Sequence, residues 1–319
     1  MRYLLPLLLA LLTMSAGAAE YDLIIRNGTL YDGSGQPPVT GDVAVDGDTI
    51  VEVGDLGQSS GRREVNANGL AVAPGFINML SWANVALIED GRSQSDIRQG
   101  VTLEVMGEGF SMGPWNDSIK AETLEKQTDI RYAIEWTTLG EYLQYLEDRG
   151  VATNVASFVG NGTLRRHVIG YDNRPATAAE LEQMKSLLDE AMREGAMGVS
   201  SSLLYAPSMY ADTDELIELA RVAGRHGGMY VSHIRDEGDR LLESIDELIT
   251  IARTADVPAE VYHLKASGQS NWPKLEQAIA RIEQARANGL AITADIYTYH
   301  ASSTGLHVQL PDWAREGGI

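Results

Sequence analysis

Met229-Tyr230-Val231-Ser232-His233 is followed, 30 residues on, by Glu260-Val261-Tyr262-His263-Leu264-Lys265. Each run is an apolar, strand-type segment that leads straight into a histidine, and a stretch of helical period, Asp239–Ala255, lies between them. Strand, helix and second strand make a parallel βαβ unit, because parallel neighbours need a crossover of a dozen or more residues. A spacing of 30 is one such repeat, so the two imidazoles can stand at the ends of adjacent strands.

The same texture extends outward. Apolar runs at Phe76–Leu80, Val101–Met106, Ala152–Val159, Met197–Ser201, Met229–Ser232, Glu260–Leu264 and Ala291–Ile296 predict seven strands. Helical spacing fills Ala178–Glu194, Thr213–His226, Asp239–Ala255 and Lys274–Asn288; in the first, Leu181, Met184, Leu187, Leu188 and Met192 share a face. Gly195, Gly227 and Gly289 follow three of these helices, as C-terminal caps do. Seven parallel strands suit either a doubly wound sheet or most of a (β/α)8 barrel. Polar residues decide. Glu108, His233, His263 and Asp295 each fall at or just past the C-terminal end of an apolar run, and in a barrel those ends converge on one mouth. The expected class is α/β: a (β/α)8 (TIM) barrel over residues 74–319, incomplete at its C-terminus, with about seven of eight strands.

Residues 20–73 read as a small antiparallel β module. Asp22–Ile25, Thr29–Tyr31, Asp42–Val45 and Thr49–Val53 are short strand-type runs separated by Asn27-Gly28, Asp32-Gly33 and Asp46-Gly47-Asp48, which are hairpin signals. About 50 residues cannot bury a core alone. Residues 1–19 read as a signal peptide: Met1-Arg2, an apolar Leu4–Met14, then Ser15-Ala16-Gly17-Ala18-Ala19. That apolar run is too short to span a bilayer of roughly 30 Å. Cleavage near Ala18 or Ala19, no stable membrane anchor, and a periplasmic or extracellular location are the expectations.

The 319 residues carry a formal net charge of −20, no cysteine and six histidines. Such an acidic chain is a poor partner for nucleic acid or anionic membrane, which need clustered Lys and Arg. Without cysteine there is no disulfide, thiol nucleophile or thiolate ligand. A metal would be held by His, Asp, Glu, Lys or water. His233 and His263, with Glu108 from a third strand, make a His2Glu set that leaves a position for water, as catalytic zinc does; cobalt and nickel also suit imidazole. Each histidine taken alone reads equally as a satisfied half-buried residue. Lys265, two residues beyond His263, shares its face if the strand persists, and there could bind a substrate carboxylate or stand solvated. Tyr205, Tyr297 and Tyr299 are candidate phenol donors at the mouth, or core residues. His226 suits a helix C-terminus. His167, His300 and His307 have no spacing that singles them out.

These residues also carry a family likeness. Asp22–Thr29 and Val72-Ala73-Pro74-Gly75-Phe76-Ile77 look like the opening of the amidohydrolase superfamily. Thr163-Leu164-Arg165, Gly198–Tyr205, His233-Ile234-Arg235-Asp236-Glu237, His263-Leu264-Lys265 and Ala294–Tyr299 closely resemble the N-acyl-D-amino-acid deacylase (D-aminoacylase) family. The resemblance implies a (β/α)8 barrel with a small β-sandwich built from both chain termini. It implies zinc-dependent hydrolysis of an N-acyl-D-amino acid to a carboxylate and a D-amino acid. His233 and His263 match the family's ligands, Glu108 stands where the family usually has a metal-binding Cys, and Lys265 with a nearby tyrosine matches groups that hold the substrate's free carboxylate.

Two departures shape the expectation. Leu80 and Trp82 occupy the positions of the family's His-x-His pair, so a single ion, most simply zinc, is expected. The family's catalytic Asp on strand eight, which acts as general base, falls outside this sequence, which therefore looks like a fragment of reduced activity. Two other readings stay open: an impaired or non-catalytic exported binding protein on the same scaffold, and another cyclic amidase or deaminase of the superfamily.

Overall fold

A computed structural model describes residues 20–317; the expected signal peptide lies outside the described residues. The chain divides into two compact units between Gly75 and Phe76.

The first unit holds β1 (Glu20–Leu30), β2 (Val39–Asp46), β3 (Thr49–Gly54), β4 (Ser60–Asn66) and β5 (Ala71–Val72). They form one sheet in the order β3-β2-β1-β4, with β5 also on β1. The sheet is mixed, not antiparallel throughout: β2 is antiparallel to β1 and β3, whereas β4 and β5 run parallel to β1. The expected hairpin at Asn27-Gly28 is instead a bulge within one continuous strand. Asn27 has φ 59° and the register against β2 shifts between Ile25 and Gly28. Asp42 Oδ1 accepts the Asn27 N–H freed by that shift, at 2.8 Å. A Cβ on Gly28 would meet Val72 Cγ2 at 2.5 Å, so close approach rather than a turn requires the glycine. The Asp46–Asp48 segment does turn, joining β2 to β3 with Gly47 at φ 59°. Ile24, Ala44 and Leu56 form this unit's small core.

The second unit alternates strands with helices. Its strands are β6 (Phe76–Asn78), β7 (Val101–Met106), β8 (Asn154–Ser157), β9 (Val159–Gly160), β10 (Gly198–Ser202), β11 (Met229–His233), β12 (Ala259–Val261) and β13 (Ile292–Ala294). Each of the seven apolar runs holds a strand, the third being interrupted at Phe158 between β8 and β9. All pairings are parallel and follow chain order, β6-β7-β8 in one sheet and β9-β10-β11-β12-β13 in the other. The helices are α1 (Ala86–Glu89), α2 (Gln94–Ile97), α3 (Asp117–Lys126), α4 (Leu139–Arg149), α5 (Asn161–Val168), α6 (Ala178–Arg193), α7 (Thr213–Arg225), α8 (Leu241–Ala255) and α9 (Lys274–Ala287).

Local chemistry sets their ends. Thr177 and Glu180 make a reciprocal capping box on α6, and Asp212 accepts from the Glu215 N–H at 2.8 Å to start α7. Gly195, Gly227 and Gly289 take φ 106°, 75° and 92° after α6, α7 and α9. His226 closes α7, as its position suggested, and its Nε2 lies 2.8 Å from Asp189 Oδ1. The inward faces of α6, α7 and α8 bury Met184, Leu188, Leu216, Ala220, Ile245 and Leu248 against Val199, Tyr230 and Val261 of the strands. Each buried Leu, Ile, Met or Val side chain among them contributes about 1.5–3 kcal/mol. Strand alternation sends Val231 to the opposite face, where it meets Val105, Phe158 and Tyr262 in a second cluster. No described helix is long and apolar enough to cross a membrane.

Candidate metal centre

Three strand ends supply the centre. After β7, Gly107 and Gly109 adopt φ 97° and 63°, so the chain turns sharply on either side of Glu108. A Cβ on Gly107 would lie 2.3 Å from Phe158 O, and one on Gly109 would lie 2.3 Å from Ser202 Cβ. Only glycines let this loop press against its neighbours and aim Glu108 inward. His233 is the last residue of β11, in register with Ser202. His263 lies beyond β12, not on it. The strand ends at Val261 because His263 takes φ 38° and its N–H is drawn to Asp295 Oδ1 at 2.6 Å. Lys265 therefore reaches the mouth through a turn, not by the strand alternation expected of it.

Glu108 Oε1 is the meeting point. His233 Nδ1 and His263 Nε2 each stand 3.0 Å from it, and one ligand atom from each of the three residues lies within 4.8 Å of the others. The two rings are nearly perpendicular, with centroids 4.5 Å apart. Side-chain exposure is 8% for Glu108, 7% for His233 and 10% for His263. Burial alone would raise the Glu108 pKa, but the hydrogen bonds from both histidines outweigh it and hold the carboxyl at about 2. Burial opposes charge on His263, yet hydrogen bonds to Glu108 and Glu237 push it up to about 9.

Glu237 belongs to the centre, although its spacing had not singled it out. Its Oε1 lies 3.0 Å from His263 Nδ1 and 3.9 Å from His233 Nε2, and it also takes a hydrogen bond from Lys265 Nζ. Those bonds hold its pKa below the ordinary carboxylate value although burial works the other way. The signal was an acid four residues past a candidate ligand, in a loop where no strand or helix period applies. Lys265 Nζ also donates to His263 O at 2.9 Å and stands 2.8 Å from His263 Nδ1, so two donors converge on one Glu237 oxygen. The ammonium is thus neutralised from within the site.

The remaining candidates separate. Tyr205 packs edge-on against His233 with centroids 5.2 Å apart, and its hydroxyl meets Thr304 Oγ1 at 2.8 Å. Tyr297 lies 6.2 Å from the His263 ring, with Lys265 Nζ 5.4 Å from its own centroid; Tyr299 is 80% exposed beside it. All three line a cavity of about 880 Å³ with Glu108, His233, His263, Glu237 and Lys265. His307 lines it too, which its spacing had not indicated. Asp295, expected at the mouth, serves instead to hold the His263 backbone, and burial beside Glu260 pushes both carboxyls up. His167 lies near Pro114 O, away from this cavity.

The donor set fits a metal. Two imidazoles and one carboxylate converge, and His233 Nε2 is buried without a hydrogen-bond partner. Such a His2Glu set suits a divalent transition-metal ion. Uptake must expel the His263 proton, so apparent affinity is expected to rise about tenfold per pH unit below about pH 9. Zinc titrations against a competing chelator across pH 6 to 9 check this, and a flat profile contradicts it. Linkage gives a second expectation, for protein kept in chelator. His263, raised from 6.5 to about 9, contributes stability that is complete below 6.5 and lost as pH rises through 9. Glu108, lowered from 4.5 to about 2, contributes stability present above 4.5 and lost as pH falls towards 2. Their joint contribution to the melting temperature peaks between 4.5 and 6.5.

Known proteins share this arrangement of elements. No family model matches the chain. D-aminoacylase of Alcaligenes xylosoxydans xylosoxydans is 36% identical over 290 residues, 90% of this chain and 59% of that protein. A D-aminoacylase structure, described with a binuclear metal centre in which one metal activates and a second attenuates, superposes with TM-score 0.79 at 35% identity, covering 88% of this chain and 59% of the other. An N-acyl-D-glutamate deacylase from Bordetella bronchiseptica, complexed with zinc and a phosphonate inhibitor that mimics the tetrahedral intermediate, gives TM-score 0.78 at 31% identity over 88% and 59%. The chain spans about three-fifths of the length of these relatives. Its fold is the α/β amidohydrolase fold, and its close homologues are D-aminoacylase and the N-acyl-D-amino-acid deacylases of the amidohydrolase superfamily.

Proposed function

We propose that the protein hydrolyses the amide bond of N-acyl-D-amino acids, releasing a carboxylate and a free D-amino acid, at a centre where Glu108, His233 and His263 hold one zinc ion. The observation that carries this reading is the convergence of those three side chains within 4.8 Å at a cavity large enough for such a substrate. The same reading takes the parallel strands as part of a (β/α)8 barrel, the N-terminal sheet as part of a small β-sandwich, and residues 1–19 as a signal for export.

Zinc bound there would polarise the amide carbonyl and lower the pKa of a bound water. The protein's own groups prepare the centre. Glu237 is placed to accept from His263 Nδ1–H, which would leave Nε2, beside Glu108, as the ligand atom once its proton is lost. Hydrogen bonds from the two histidines keep Glu108 ionised against its burial. Lys265, steered by Glu237 and lying against Tyr297, is the cation for the substrate's carboxylate. Tyr205, Tyr297 and Tyr299 line the same cavity and can add phenol donors. Glu237 already holds Lys265, so the substrate carboxylate would share that ammonium with it.

The test is an assay of purified protein with N-acetyl-D-leucine, its L enantiomer and its C-terminal amide, before and after chelation. Hydrolysis of the D acid alone, abolished by chelator and restored by zinc, is the expected result. No turnover in zinc-replete protein would favour the non-catalytic binding reading; equal turnover of the amide would remove the carboxylate anchor.

A further inference from the structure

Glu108 has two oxygens, and the histidines use one. Oε1 receives His233 Nδ1 and His263 Nε2, while Oε2 receives the indole Nε1–H of Trp82 at 3.0 Å. Trp82 follows β6, whereas His233 ends β11 and His263 follows β12, so three separate segments converge on one carboxylate. Core packing does not account for Trp82. It is 63% exposed, and its ring lines the cavity. What fixes it to the site is its polar edge. An indole N–H only donates, and it carries its proton at every accessible pH, so Trp82 can neither ligate a cation nor accept a bond.

A glutamate's terminal torsion is broad and roughly two-fold, so a carboxylate with one anchored oxygen interchanges its two oxygens. The indole removes that freedom. We propose that Trp82 is the positioning residue of the centre, holding Glu108 as a one-oxygen ligand by occupying the oxygen that the histidines leave. This rests on the single-ion reading above and extends it: a cation that sought Glu108 Oε2 would first have to displace an N–H donor.

The experiment compares wild type with Trp82→Phe, which keeps a ring and removes the donor. Each protein is titrated with zinc against a chromophoric chelator, loaded with cobalt(II) for its visible spectrum, and melted in chelator as a folding control. Wild type is expected to bind one ion per chain. Trp82→Phe is expected to bind zinc about 10–100-fold more weakly, the usual loss for an outer-sphere partner of a ligand. Its cobalt band should weaken as Oε2 joins the coordination sphere and the coordination number rises. The metal-free variant should still melt in one cooperative transition, at a somewhat lower temperature for the bond lost to Glu108. Equal affinity with an unchanged cobalt spectrum overturns the role of Trp82 and leaves the metal centre standing. A wild type that binds no ion overturns both.

Discussion

His233→Ala is expected to lower zinc affinity by more than about 100-fold, since loss of even an outer-sphere partner costs 10–100-fold and His233 supplies a ligand. Its effect on the metal-free protein is separable. Glu108 is buried, accepts from two histidines and Trp82, and is held ionised by the histidines. With one donor gone, burial pushes its pKa up from about 2. A buried acceptor that loses a partner costs about 1–3 kcal/mol. Metal analysis after dialysis, chelator competition and denaturant unfolding of the metal-free variant measure the two effects. Near-stoichiometric zinc in His233→Ala would show that the ion, if bound, is held elsewhere.

Arg165→Ala is expected to destabilise the second unit by about 3–5 kcal/mol, because it leaves a buried carboxylate without its counter-charge. Arg165 is fully buried and Glu215 is 4% exposed; Arg165 Nη1 reaches Glu215 Oε2 at 2.5 Å and Nη2 reaches Arg174 O at 2.7 Å. Arg165 Nε and Glu215 Oε1 have no hydrogen-bond partner, so even the intact pair is only partly satisfied. Burial already pushes the Glu215 pKa above its ordinary value despite Arg165. Without the guanidinium it rises further, so the variant should regain stability as pH falls and Glu215 protonates. The double replacement Arg165→Met with Glu215→Leu should recover most of the loss, since apolar groups can replace a buried ion pair at little cost. Urea unfolding of the three variants at pH 5 and 7.5 decides this. A double variant no better than Arg165→Ala would mean the pair is irreplaceable for another reason.

Much of the framework was legible because its signals are periodic and local. Seven apolar runs became strands, and helices α6 to α9 ended within two residues of the expected bounds, since amphipathic spacing and glycine caps act over a single turn. Glu108, His233 and His263 were legible for a related reason: each follows an apolar run, and strand ends in a parallel sheet face the same way. Where the reading failed, a longer-range partner had overridden a local rule. Asn27-Gly28 spells a hairpin, yet Asp42 and Val72 turn it into a bulge. Strand alternation placed Lys265 correctly at the mouth but by the wrong route, because Asp295 from the next strand bends the chain at His263. Asp295 itself spends its carboxylate on backbone instead of facing the cavity.

The sequence by itself determined the alternation of strands and helices, the absence of any thiol ligand, and the three residues that could gather a cation. Those follow from composition and from periods of two and 3.6 residues. Only the tertiary structure decided how the charges are shared: that both histidines meet one oxygen of Glu108, that Trp82 takes the other, and that Glu237 holds Lys265 and His263 together. Hydrogen bonds between residues that are far apart along the chain depend on distances of tenths of an ångström. Packing fixes those distances, and no spacing along the chain encodes them.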